Sequence, residues 1–281
     1  MSLKHHLSLL RLHGLVPVLL LFIPCLWGLF LGGGPKPSLS LMCLFLLGSF
    51  FARTAGCVYN DWVDQPLDRL VARCANRPLA ASHLKTYHGV MWFCLFMGLA
   101  LGVLICLPSR VFIGGVISFG LIMLYPWMKR ITRWPQIIMG MAFTMGLPMA
   151  YACYKTPSWS LLFLYLSGVW WAVFYDTLYA HQDSKDDIKA GVKSTTQIWV
   201  HRPKSFLVLC FGLWYINGIA FGLLSHFNGV YYSLLSLPLV PTLYYIKTCD
   251  LTSPPACMAA FKKSLWIGII HTMALYTTVL E

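Results

Sequence analysis

Two short segments hold seven of the nine acidic residues in this 281-residue chain. Asn60, Asp61, Asp64 and Asp68 lie in NDWVDQPLD, and Asp176, Asp183, Asp186 and Asp187 lie in DTLYAHQDSKDD. Carboxylates gathered so closely repel one another unless a positive charge sits between them. A divalent cation such as Mg²⁺ takes oxygen ligands and bridges to phosphates. On a helix, Asn60, Asp64 and Asp68 recur at i, i+4 and i+8 and share one face, with Asp61 about a quarter turn away. Asp176, Asp183 and Asp187 recur at i, i+7 and i+11, again on one face. Two such stripes facing each other could hold Mg²⁺ ions with a diphosphate between them.

Basic residues accompany the acids. Arg73, Arg77, Lys129, Arg130 and Lys193 lie in the same polar stretches. Phosphate oxygens left over by a metal want charged donors, and the arginine fork suits them. A departing diphosphate needs its growing charge stabilised, and metal with Lys/Arg clamps does this. The same cations are also expected from membrane topology alone. Arg53 stands apart, inside an apolar run two helical turns before Asn60. It either faces the protein interior as a functional group or snorkels to the interface.

The elements that must carry these residues are membrane helices. The chain is 58% hydrophobic, only 11% charged, with mean hydropathy +0.68. Apolar runs of about twenty residues recur, the length needed to cross a bilayer. Nine spans are predicted: 14–31, 39–59, 84–107, 111–127, 135–154, 159–179, 206–225, 231–246 and 264–280. The expected fold is an all-α, multi-pass transmembrane bundle forming one domain over residues 1–281. Lys and Arg accumulate in alternate connectors, which places the N-terminus and both acidic segments on the cytoplasmic side and Glu281 outside. The net charge of +12 therefore reflects topology; no nucleic-acid-binding motif and no obligate protein partner is read from the sequence. The ten cysteines are scattered without metal-site spacing.

The chain resembles the UbiA superfamily of intramembrane aromatic prenyltransferases. NDxxDxxxD is intact as Asn60, Asp61, Asp64 and Asp68, and continues into DRxVxR…NRPL. DxxxxxxDxxxD is intact as Asp176, Asp183 and Asp187. YxxxK stands as Tyr125 and Lys129. YDTxYAxxDxxDDxxxGxKST and YPxMKRxTxxPQ are similar to the ubiquinone-pathway branch, which prenylates para-hydroxybenzoate. The family pattern RxDKPxG is replaced by RLHGLVP over residues 11–17, in which only Arg11 survives.

The resemblance implies an enzyme of about nine helices that transfers a polyprenyl group from polyprenyl diphosphate to the ring of 4-hydroxybenzoate. Asn60, Asp64, Asp68, Asp183 and Asp187 would hold Mg²⁺, with Asp61 a further ligand or a support to one, and Asp64, Asp68, Asp183 and Asp187 central to catalysis. Arg73, Arg77, Tyr125, Lys129 and Lys193 would bind the diphosphate. Arg53, or Arg130 in its place, would pair with the acceptor carboxylate, and Asp176 would orient the phenol. A bacterial inner membrane is the expected location, and Phe, Met, Trp and Leu the expected cavity wall. Competing readings are a different aromatic acceptor, a CDP-alcohol phosphotransferase, which uses one compact acidic motif rather than two, and a transporter, whose ion sites lie near the midplane rather than at span ends.

Overall fold

The computed structural model describes residues 3–12 and 14–280. His13 and Glu281, which the sequence reading touched on, lie outside the described residues. Within them the chain is helical throughout, with no strand. A short helix α1 (Leu3–Leu10) precedes α2 (Val16–Gly33) and α3 (Leu39–Val63), followed by the single turn α4 (Gln65–Asp68). Then come α5 (Thr86–Cys106), α6 (Phe112–Ile131), α7 (Pro135–Thr144), α8 (Gly146–Ala152), α9 (Ser160–Ala180) and α10 (Ser184–Lys189). The chain closes with α11 (Pro203–Leu224), α12 (Gly229–Ser236), α13 (Leu239–Thr248), α14 (Pro254–Lys263) and α15 (Leu265–Thr277).

Six of the nine predicted spans are continuous helices long and apolar enough to cross a bilayer: Val16–Gly33, Leu39–Val63, Thr86–Cys106, Ser109–Ile131, Ser160–Ala180 and Pro203–Leu224. The other three are each broken in two. Pro148 sits in the first turn of α8 and cannot donate to a carbonyl in α7, so that span divides between Thr144 and Gly146. Pro238 divides α12 from α13 in the same way. The last span begins at Pro254, ten residues earlier than the hydropathy suggested, and breaks at Ser264. There the Ser264 carbonyl accepts from Trp171 Nε1 at 3.1 Å. Periodicity sees apolar length but not these internal breaks.

The helices meet through small residues, as membrane helices do when close backbone approach replaces a hydrophobic driving force. A Cβ on Gly28 of α2 would lie 2.3 Å from the Leu147 carbonyl oxygen of α8, and one on Gly140 of α7 would lie 2.8 Å from that of Val169 in α9. The main core gathers Trp27, Trp171, Phe174, Phe211, Trp214 and Tyr231. Helix α9, which carries the second acidic segment, is the most enclosed span at 67% buried, whereas α5 and the α6 span are 11% buried. The acidic residues therefore hang from a well-packed helix, while α5 and α6 turn most of their surface outward.

Candidate active site

The first acidic segment keeps helical geometry past the nominal end of α3. Asp64 N–H donates to the Asn60 carbonyl at 2.8 Å, and Asp68 N–H to the Asp64 carbonyl at 2.8 Å. Asn60, Asp64 and Asp68 thus stay on one face, as their spacing predicted. In the second segment α9 ends at Ala180, the chain turns through Asp183, and α10 restarts the ladder with Asp187 N–H donating to Asp183 at 2.8 Å. The stretch between α4 and α5 is clipped by its own bonds, from Gln65 Nε2 to the Leu79 carbonyl at 2.8 Å and from Arg69 Nε to that of Ala80 at 3.0 Å. That clip holds Arg73 and Arg77 over the acids.

Both stripes face one cavity of about 1160 Å³. Asn60, Asp64, Asp68, Asp176, Asp183 and Asp187 line its charged end, with Arg73, Arg77, Tyr125, Lys129 and Lys193. Lys129 Nζ donates to Asp64 Oδ2 at 2.6 Å and to Asn60 Oδ1 at 2.9 Å. Arg77 spans both oxygens of Asp68, at 3.0 and 2.8 Å. Arg73 Nε donates to both oxygens of Asp183, at 2.8 and 3.0 Å, and its Nη1 donates to Tyr179 at 3.1 Å. Lys193 is tethered to the Lys129 backbone carbonyl by its N–H at 2.8 Å and to that of Ile131 through Nζ at 3.0 Å.

Two predicted residues stand elsewhere. Asp61 does not line the cavity; it is buried behind it, accepting from Arg11 at 2.5 Å and Arg77 at 3.1 Å. Its quarter-turn offset on the helix takes it to the back, where it supports Arg77 instead of facing a ligand. Arg130 also leaves the cavity. It donates to the Val63 carbonyl at 2.8 Å and stacks on Trp127, 4.9 Å from the ring centre. Arg53 faces inward: it is buried, lines the cavity, and forms no ion pair among the described residues. Asp64 is 3% exposed.

Burial and mutual repulsion raise the acids outside the spans. Asp187 is pushed up to about 7, chiefly by burial and then by Asp183, and Asp68 to about 6 by burial, with Arg77 pulling the other way. His181, at the end of α9, is lowered to about 4 by burial and stays neutral.

Among the described residues, no three carboxylate, imidazole or thiol side chains close around a point as a ready-made metal cage. Mg²⁺ does not require one, since it is commonly bound by one or two carboxylates together with substrate phosphates. The donor set fits such an ion. Asp64 Oδ1 is buried with no hydrogen-bond partner among the described residues, an acceptor position that a cation would satisfy.

Away from the acids the cavity turns apolar, lined by Phe45, Met97, Leu104, Phe119, Phe143 and Met149. Asp64 and Phe45 are 19 residues apart along α3, about 28 Å at 1.5 Å per residue. The cavity therefore follows nearly the whole span. Tryptophan, expected in its wall, is instead packed into the helix core at Trp27, Trp171 and Trp214.

Four residues at the site are not predicted from sequence: Gln136, Ser194, Tyr179 and Arg11. Buried Gln136 donates to Ser194 Oγ at 3.0 Å and accepts from Thr195 N–H at 3.2 Å, fixing the chain that carries Lys193. Tyr179 carried a usable signal, one helical turn before Asp183. Arg11 carried one too, as the residue retained from the family pattern RxDKPxG.

A helical membrane bundle with paired acid and base at one end of a long apolar cavity defines a class of protein that handles a lipid with a charged head. A model of the UbiA prenyltransferase family matches residues 21–270. The chain belongs to that family, and it is an integral membrane protein. It is 35% identical to the mitochondrial 4-hydroxybenzoate polyprenyltransferase of Bos taurus over 95% of this chain and 73% of the relative. It is 34% identical to the 4-hydroxybenzoate octaprenyltransferase of Haemophilus ducreyi over 93% of this chain and 95% of the relative. A UbiA homolog from Archaeoglobus fulgidus, solved with GPP and Mg²⁺, superposes with a TM-score of 0.73 at 19% identity, covering 97% of this chain and 99% of that one.

Proposed function

We propose that this protein transfers a polyprenyl group from polyprenyl diphosphate to the ring of 4-hydroxybenzoate, ortho to the hydroxyl, in ubiquinone biosynthesis. The observation that carries the reading is the meeting of two carboxylate stripes at the charged end of an otherwise apolar cavity. The relatives' names supply the acceptor and the donor class.

Asn60, Asp64, Asp68, Asp183 and Asp187 are the residues that would hold Mg²⁺, which when bound neutralises diphosphate charge as that group departs. Arg73, Arg77 and Lys129 are now paired with carboxylates. A diphosphate gives these cations new acceptors and so frees the carboxylate oxygens. Lys193 and Tyr125 line the same end and complete the diphosphate contacts. The donor's C–O bond breaks, the prenyl carbon bonds to the ring, and the ring proton is lost. The apolar wall keeps water from the electron-poor prenyl carbon.

For the acceptor, Arg53 is the favoured partner of the carboxylate. It is buried and lines the cavity, and among the described residues it has no counter-ion and its Nε no hydrogen-bond partner. Asp176 orients the phenol from the facing helix. The basic connectors support a cytoplasmic charged end, in a bacterial inner membrane.

The test is an assay of purified protein with labelled 4-hydroxybenzoate and a set of polyprenyl diphosphates, with and without Mg²⁺. Prenylated product formed only with the metal is expected. Turnover of another aromatic acceptor in preference would overturn the choice of substrate, and no prenyl transfer to any acceptor would reject the reaction.

A further inference from the structure

Arg11 is the first residue beyond α1, and its backbone is left-handed, with φ +50°. A side-chain-bearing residue pays for that conformation, and such strain persists only where surrounding contacts hold it. Here the contacts run into the cavity. The Arg11 carbonyl accepts from Arg53 Nη1 at 2.9 Å, the one hydrogen bond found for the Arg53 side chain among the described residues. The Arg11 guanidinium donates to Asp61 at 2.5 Å. Helix α1 holds this corner firmly: Leu9 and Leu10 are buried against Ala55 and Val58 of α3, and Trp92 Nε1 donates to His6 at 2.9 Å.

We infer that Arg11 is a positioning residue whose main-chain carbonyl, presented by the left-handed turn, aims Arg53 at the acceptor carboxylate. The inference rests on the reading of Arg53 given above. A free arginine in an apolar wall has several rotamers; a fixed carbonyl on one Nη selects among them and leaves Nε and the other Nη for a ligand. Gly14 leaves space beside that second Nη, since a Cβ there would lie 3.7 Å from Arg53 Nη2. The role belongs to the backbone of Arg11, so it depends on conformation and not on charge.

Variants R11G, R11A and R11V separate these two. All three lose the guanidinium and its bond to Asp61, but glycine adopts the left-handed turn freely, alanine less so, and branched valine least. The KM for 4-hydroxybenzoate is expected to rise in the order Gly, Ala, Val, with R11V about fivefold or more above R11G. The KM for the prenyl diphosphate should be the same in all three. Equal acceptor KM values across the series, or a parallel rise in donor KM, would overturn the positioning role. Should R11V not fold, R11A against R11G decides by the same criterion, with about a twofold rise expected. R53A is assayed alongside. A rise in acceptor KM in R53A with a flat Arg11 series removes only the role of Arg11; no rise in R53A rejects the reading of Arg53, and the positioning with it.

Discussion

Arg73 and Asp183 join the two acidic segments across 110 positions of sequence, the guanidinium lying flat against both carboxylate oxygens. Arg73 rests also on the Tyr179 ring, 5.1 Å from its centre. The cation that would receive a diphosphate is thus parked on a carboxylate that would hold its metal. Acid and base neutralise one another until a ligand of opposite pattern arrives, which keeps such a dense charge cluster tolerable at the edge of a membrane.

Asp183→Asn leaves the side-chain shape and removes one ligand and the Arg73 ion pair. Turnover should fall by at least about a hundredfold, the scale of losing one electrostatic contact to a developing charge, with little change in thermal unfolding because Arg73 is about one-third exposed. Activity within a few-fold of wild type would remove Asp183 from the site.

Asp64→Ala behaves differently. Asp64 is buried, and Lys129 is mostly so. Deleting the carboxylate strands that cation, at a cost of about 3–5 kcal/mol for a broken buried pair. The variant should lose activity and unfold at a distinctly lower temperature, whereas Asp64→Asn should lose activity with a smaller drop. Equal unfolding temperatures for Asp64→Ala and the wild type would contradict the buried pairing.

Binding of Mg²⁺ should weaken as pH falls. Asp187 is raised to about 7 and Asp68 to about 6, so between pH 8 and 6 protons increasingly occupy carboxylates the metal needs. Calorimetric titration in the presence of a non-reactive diphosphate should give a lower affinity at pH 6 than at pH 8, with proton release on binding. Asp187→Asn should bind more weakly throughout and show a flatter pH dependence; a pH-independent affinity in the wild type would exclude these residues as ligands.

Arg53→Ala should raise the KM for 4-hydroxybenzoate about tenfold or more, the scale of losing a charge-assisted contact, with the donor KM little changed. Arg130→Ala should leave the acceptor KM near its original value, because its guanidinium is committed to the Val63 carbonyl and Trp127. The reverse pattern would exchange their roles.

Gly28→Ala puts a methyl 2.3 Å from a backbone oxygen of α8. Backbone cannot step aside as a side chain can, so the cost should reach about 1–3 kcal/mol or more. Gly98 of α5 has no described residue within 4 Å of a Cβ, and Gly98→Ala should be neutral or stabilise by up to about 1 kcal/mol. Thermal unfolding of both variants in the same detergent tests the contrast.

The membrane class, the approximate spans and the two carboxylate stripes were determined by sequence alone, because each is a local property: apolar length, or residues repeating every helical turn. Asn60, Asp64 and Asp68 share a face for that reason whatever surrounds them. Tertiary structure decided what depends on meeting: that Asp61 backs the site while Asp64 faces it, that Arg53 and not Arg130 turns into the cavity, and that three spans break. No periodicity places the carbonyl of Arg11 against Arg53, because a hydrogen bond between segments 42 residues apart exists only once α1 has packed on α3.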